Sequence, residues 1–484
     1  RRQRQMCIRD RDGTVRIKHL SGFSKSKEVI FISSIQKLYH HFLHLSPMKI
    51  ILFGYCAIIC IGSILLALPI STRNPDAANL FTGFFTATSA TCVTGLIQVD
   101  TYTHWSFFGQ GVILCLIQIG GIGFMTLCIS IMTLTKRKIG LVSRSLMQNS
   151  VSAPQIGGIV KMTRFIIIGT FSIEFLGAFL LAFHFCPKFG LSKGIWFSIF
   201  HSISAFCNAG FDLMGSVQPF SSLTGEVGNW YVNLIIMALI IIGGLGFFVW
   251  RDILATKLHF HKMQLHTKLV LSVSLFLIAA GTLLLFVCER GTGAYQDLTL
   301  SEQVAASAFQ SVSARTAGFN SVNLSALTQT GRFLIISLML IGGSPGSTAG
   351  GIKTTTFAVL VLSVITTFRS RKSTEVFGRR LEDFITRKAT CIFFLYITFS
   401  FSAAMIISRI ENIDFLDSLF ESVSAIATVG LSTGITPELM PLSHALLAFL
   451  MIFGRVGSLT MLLAFSFTRK QLPSALPLEK IQLG

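Results

Sequence analysis

Runs of about 20 predominantly apolar residues recur along the whole of this chain, and each is long enough to cross a bilayer core. No other feature limits the fold so strongly. Inside lipid every backbone amide must find a partner within a helix or a closed barrel. The runs fall at 50–70, 107–134, 165–185, 230–250, 269–288, 333–368, 391–407 and 442–467. Only 13% of the 484 residues are charged, about half the share usual in a soluble domain. The chain is therefore read as an all-α polytopic membrane protein.

Charge placement sets the orientation. The net charge is +19, but the basic residues sit in the N-terminal stretch and between alternate apolar runs. They recur at Lys136–Lys138, at Arg251, Lys257, Lys262 and Lys268, and from Arg369 to Lys388. That is the positive-inside pattern, which needs no nucleic-acid partner. It puts both termini on the cytoplasmic side of the cell membrane. The first run starts too late and is too long for a signal-peptide core. The ten cysteines lie mostly in apolar runs without CxxC spacing, which reads as small buried side chains rather than a transition-metal site or disulfides.

Between successive long runs lies an apolar segment too short to span. Each carries one string, F-x-[AS]-[TIV]-S-A, starting at Phe85, Phe200, Phe309 and Phe420, with steps of 115, 109 and 111 residues. A glycine follows each copy: Gly95, Gly210, Gly318 and Gly430. The step from serine to glycine is six residues in three copies and five in the third. Repetition at this period means one structural unit used four times. Interfacial packing by small residues would explain neither the recurrence nor the shared glycine.

The fold expected is four span–pore-loop–span repeats around one pore, with eight transmembrane helices and four re-entrant pore helices. The boundaries are a basic tail at 1–47, repeats at 48–138, 161–257, 266–368 and 388–470, and a C-terminal tail at 471–484. Irregular backbone at membrane depth is tolerated only where protein buries it or water lines it. Four such loops around an axis offer backbone carbonyls to a monovalent cation in place of its water. Glycine permits the turn that aims successive carbonyls one way.

This plan resembles the superfamily of potassium transporters that includes the Trk and Ktr pore subunits and plant HKT proteins. The resemblance covers about 48–470. Its most specific strings are Ser313-Ala-Arg-Thr-Ala-Gly-Phe-Asn320, Ala427-Thr-Val-Gly430, the glycine-rich stretch 342–353 and Gly454-Arg-Val-Gly457. It implies a selectivity filter of Cys92, Val93, Thr94 and Gly95; Cys207, Asn208, Ala209 and Gly210; Arg315, Thr316, Ala317 and Gly318; and Ala427, Thr428, Val429 and Gly430. It implies potassium uptake by a channel-like pore, with Gly95 favouring potassium because sodium-preferring relatives can carry serine there. Sodium permeation, or sodium as a coupling or activating ion, is the alternative. The chain lacks the extra helix pair of Trk-type proteins, so the Ktr type fits best. That type further implies a homodimer in lipid on a cytoplasmic ring subunit that binds nucleotide, for which 369–388 is a docking candidate. The long basic tail has no assigned role.

One return run differs from the rest. Residues 333–368 would form a helix of about 54 Å at about 1.5 Å per residue, well beyond a bilayer core. Within it lie Gly342, Gly343, Ser344, Pro345, Gly346, Ser347, Thr348, Ala349, Gly350, Gly351 and Lys353, of which the glycines, with Pro345, break the helix. A polar break at that depth borders the water path, and it is read as an intramembrane gate below the filter. Arg455 lies near the middle of the fourth return run, where an ionisable side chain is costly and so a functional candidate. It is assigned to the gate, with the unwound stretch 342–348 as its nearest acceptor. Lys353 can instead snorkel to the inner surface.

Other residues carry less. Glu174 sits mid-span and either pairs with a polar neighbour or faces the pore wall. His184 and His201 read as interface residues at an outer end. Outward acids, among them Asp100, Asp212, Glu226, Asp417 and Glu421, can concentrate cations near an entrance. A secondary transporter would carry inverted repeats and charged span centres, whereas these repeats share one direction. An enzyme is not expected, since neither HExxH nor a Walker A string occurs, and no covalent cofactor is implied.

Overall fold

The computed structural model describes residues 47–123, 126, 159–371 and 373–457. The two tails, the inner end of the first return run and the inner end of the fourth lie outside the described residues.

Each repeat opens with a long apolar helix: α1 (Pro47–Leu66), α4 (Ile159–Phe189), α8 (Leu265–Glu289) and α12 (Asp383–Glu411). These four are long and apolar enough to cross a membrane. Each is followed by a shorter helix carrying the repeated string: α2 (Leu80–Cys92), α5 (Leu191–Cys207), α9 (Leu300–Ser313) and α13 (Phe415–Ile426). At 12 to 17 residues these are about 18–26 Å long, short of the bilayer core.

Burial is inverted relative to a soluble protein. Phe171, Phe175, Phe179 and Phe183 on α4 are each more than half exposed, while Ser89, Ser204, Ser313 and Ser424 of the string are fully buried. An apolar face of that size in water would be an aggregation site; in lipid it carries no penalty. The hydroxyls occupy the interior, where protein groups can bond them.

The return helices are α3 (Phe107–Ile122), α6 (Trp230–Leu245), α10 (Gln329–Leu340) and α14 (Pro441–Val456). Here the structure corrects the expectation of one interrupted run among four, because all four break. Gly123, Gly246 and Gly457 stand at φ near 90°, where no right-handed helix continues. After Gly246 the chain turns by 95° into α7 (Phe247–Thr256). The third return opens instead into non-helical chain until α11 (Thr354–Phe368).

The sequence signal for these breaks is a second repeated string. It reads Gly120-Gly121-Ile122-Gly123, Gly243-Gly244-Leu245-Gly246, Gly342-Gly343-Ser344-Pro345-Gly346 and Gly454-Arg455-Val456-Gly457. The first glycine of three copies lies against a carbonyl at a pore-helix end: Thr91, Phe206 or Ile426. A side chain there would push the return helix off the pore helix. Gly342 packs instead on Gly350 of its own loop.

Packing closes the four units on each other. One apolar cluster joins Leu66 and Ile117 of the first repeat to Phe200 and Ile240 of the second and Phe309 of the third. A second joins Leu285 and Ile335 to Phe420 and Val423. A third joins Ile59 and Phe85 to Ala425 and Leu447, from fourth back to first.

The outer loop of the second repeat is pinned by Glu226. It accepts from Lys188, from His184 at 3.1 Å and from Asn229 at 2.9 Å. Burial pushes its carboxyl up, but the bonds from these three outweigh that and leave it below the ordinary value of 4.5. A depressed carboxyl contributes stability above its unfolded value, lost as pH falls through the folded one. Glu226→Gln is therefore expected to melt at a lower temperature than wild type in detergent at pH 7. The gap should close as the pH falls below about 4.5; a gap independent of pH would show that the charge is not what pins the loop.

Candidate functional site

After each pore helix the chain takes one conformation four times. Val93, Asn208, Thr316 and Thr428 have φ of 57°, 59°, 72° and 51°, and the glycine two residues later has φ of 91°, 70°, 82° and 94°. A left-handed non-glycine residue costs roughly 1–2 kcal/mol, and such strain clusters at functional sites. Alternation of the φ sign turns neighbouring carbonyls to one side, whereas a strand would alternate them.

These triplets meet around one axis. A Cβ placed on Gly210 would lie 2.9 Å from the carbonyl oxygen of Ala317, and one on Gly318 would lie 2.5 Å from that of Val429. Gly430 abuts the Thr94 carbonyl, and Gly95 abuts that of Ala209. The contacts run second to third, third to fourth, fourth to first and first to second. They form a closed ring in chain order, and each glycine is required because the next repeat's carbonyl occupies the side-chain position.

The string's serine is a strut for the ring. Its carbonyl accepts from the amide just before the glycine in every repeat: Thr94, Ala209 and Val429 at 2.8 Å and Ala317 at 2.9 Å. Its hydroxyl accepts from the amides of Gly95 and Gly430, at 3.0 and 3.1 Å, or donates to the carbonyls of Phe211 and Phe319. The third copy, one residue shorter, keeps the left-handed residue two before its glycine. Its missing residue falls in the helix end, and the triplet is intact. The hydroxyls of Thr94, Thr316 and Thr428 are buried with no bond among the described residues, so their oxygens can be offered to a cation.

In two of the four strings expected to form the filter, the first residue turns its side chain away from the ring. Cys207 turns its thiol toward Glu174 and Gln118. Arg315 leaves the ring altogether, donating to the Ser274 hydroxyl at 3.2 Å and the Gly342 carbonyl at 3.4 Å.

Below the ring the stretch 342–353 crosses from the second repeat to the fourth. Ser344 donates its amide to the Gly244 carbonyl at 2.9 Å, Phe247 to that of Gly346 at 2.8 Å, and the Thr348 hydroxyl to that of Phe206 at 3.1 Å. At the other end Gly350 packs on Thr428 of the fourth triplet. Arg455 donates to the Thr348 carbonyl at 2.5 Å and also to that of Gly120. Lys353 curls back onto the carbonyls of Ala349 and Gly350, at 2.7 and 3.4 Å, and does not extend to the surface. By letters, residues 342–346 and 430–434 match GxSxG, but among the described residues neither serine meets a histidine base: Ser344 shares its hydroxyl bond with Thr354 and Ser432 donates to Glu421.

Glu174 pairs with a polar neighbour, one of its two expected places, accepting from Gln118 at 3.0 Å through both oxygens. His201 is fully buried inside α5 and not at an interface. The outward acids are braces rather than a solvated collar. Asp100 caps Tyr102 and Thr103 and accepts from Phe220 across the second repeat, and Asp417 pairs with Arg332 at 2.8 Å.

The model of the TrkH cation transport protein family matches residues 59–475. The potassium/sodium uptake protein NtpJ of Enterococcus hirae is 38% identical over 446 residues, covering 91% of this chain and 98% of that protein. The Ktr system potassium uptake protein B of Bacillus subtilis is 39% identical over 426 residues, covering 88% and 94%. The solved potassium transporter TrkH of Vibrio parahaemolyticus shares the fold at 18% identity, with a TM-score of 0.68 over 87% of this chain and 86% of that one. A ring of four strained triplets over a carbonyl-rich loop, a family model across most of the sequence and relatives matched end to end thus converge: the chain belongs to the TrkH family of cation transport proteins.

Proposed function

We propose that this chain is the membrane pore of a potassium-uptake system. The observation that carries the reading is the closed ring, in which four left-handed glycines bring four sets of backbone carbonyls to one axis. Such carbonyls replace the hydration shell of a monovalent cation. The Ktr system potassium uptake protein B is named for potassium and NtpJ for potassium and sodium; both support potassium as a cargo, and glycine at all four positions favours it over sodium. The stretch 342–353 acts as the gate, latched by Arg455. The chain works as a homodimer in the cell membrane, with both termini inside and a separate cytoplasmic subunit as regulator. It carries no catalytic function.

The test is cation flux into proteoliposomes containing the purified chain. Potassium or rubidium flux is expected to exceed sodium flux by about tenfold or more, as a carbonyl filter implies. Equal fluxes, or a sodium preference, would overturn potassium as the cargo.

A further inference from the structure

The string F-x-[AS]-[TIV]-S-A leaves its second position free, yet that position is polar in all four copies: Thr86, His201, Gln310 and Glu421. On a helix buried in protein and lipid a polar side chain must find partners. In two repeats the partner is equivalent. Glu421 accepts from the Thr433 amide at 3.1 Å, three residues past the ring glycine of the fourth repeat. It also accepts from the hydroxyls of Ser432 and Thr436, each at 2.6 Å. In the second repeat His201 faces the Phe197 carbonyl through Nδ1 at 2.7 Å. That ring nitrogen must therefore carry the proton. Nε2 is left to accept from the Leu213 amide, again three past the glycine, at 3.4 Å.

The other two repeats lack this bond. Gln310 is buried with neither amide atom bonded among the described residues. The Ser321 hydroxyl, at the same offset past Gly318, is likewise unbonded. Thr86 has only a short hydroxyl. Because the ring runs in chain order, the braced loops two and four stand opposite each other, as do loops one and three.

We propose that His201 and Glu421 are specificity-determining positioning residues that stiffen one diagonal of the ring, leaving the other diagonal adaptable. The inference rests on the reading of the ring as a cation filter. A smaller ion such as sodium is held well only if opposing carbonyls close in on it. Loops two and four are fastened on their outer side by these bonds and on their inner side by the serine struts, and so they resist that closure.

The test is the ratio of potassium to sodium flux in proteoliposomes holding the full chain, compared across three variants. Glu421→Leu removes all three bonds. Ser432→Ala with Thr436→Val removes two bonds and leaves the carboxyl group, and guards against a Glu421 variant that does not fold. Gln310→Leu alters the unbraced position. The first two are expected to lower the ratio by about tenfold, the scale of one lost buried hydrogen bond, with potassium flux of the same order as wild type. Gln310→Leu is expected to keep the wild-type ratio. A wild-type ratio in the double variant, or an equal loss in Gln310→Leu, would overturn the braced diagonal while the filter reading stands. A wild-type protein that does not discriminate would overturn the filter reading and the brace together.

Discussion

Serine in place of Gly95 is expected to leave a folded protein that has lost most of its preference for potassium. Gly95 holds φ of 91°, and its missing side chain is where the Ala209 carbonyl stands. A Cβ must therefore push the second loop aside, and the residue itself enters a region that costs a non-glycine residue roughly 1–2 kcal/mol. Each glycine leans on the next repeat's carbonyl, so the displacement spreads round the ring. The potassium-to-sodium flux ratio is expected to fall by about tenfold or more, since filter discrimination rests on carbonyl number and spacing. Gly111→Ala, at a position with no atom within 4 Å of an added Cβ, should keep the wild-type ratio. An unchanged ratio in a folded, conducting Gly95→Ser protein would remove Gly95 from the filter.

Arg455→Gln should do the opposite and raise flux several-fold with little change in selectivity. The guanidinium ties the stretch 342–353, proposed as the gate, to the first return helix through the carbonyls of Thr348 and Gly120. It also sets a fixed positive charge below the ring, which repels a cation in transit. Glutamine is shorter and neutral, so both the tether and the barrier go. The ring is untouched because its bonds run to the string serines instead. Deleting residues 346–350 should raise flux in the same way. Wild-type flux in a folded Arg455→Gln protein would make the arginine a structural tie only.

The substitution is informative because of where Arg455 falls in the recurring glycine string. It occupies the place of Gly121, Gly244 and Gly343 in the glycine string. Three copies keep that position small and one puts a long cation there. Comparing the four return runs letter by letter would have exposed both the four breaks and this one exception. Hydropathy obscured them, because glycine hardly lowers the apolar average of a run, and a run such as 230–250 reads as one unbroken helix. Only a bend of 95° after α6 shows that the run is divided.

Membrane class and the address of each left-handed triplet were legible in the chain before any coordinates. Lipid admits very few solutions for a backbone, so apolar length, basic inner segments and a recurring serine-to-glycine step leave little freedom. The third loop's shortening could be seen there too, though not that it falls in the helix end and spares the triplet. Side-chain destinations were a different matter. Arg315 belongs to the filter by position yet points away to Ser274 and Gly342, His201 is interior, and Glu421 is a brace behind the ring. The order of loops around the axis, and which glycine meets which carbonyl, were equally hidden. The reason is distance along the chain. Arg455 meets partners 107 and 335 residues away, and local propensity, periodicity and hydropathy carry no term for such pairs. They exist only once the four repeats have packed against one another and brought their ends to a common axis.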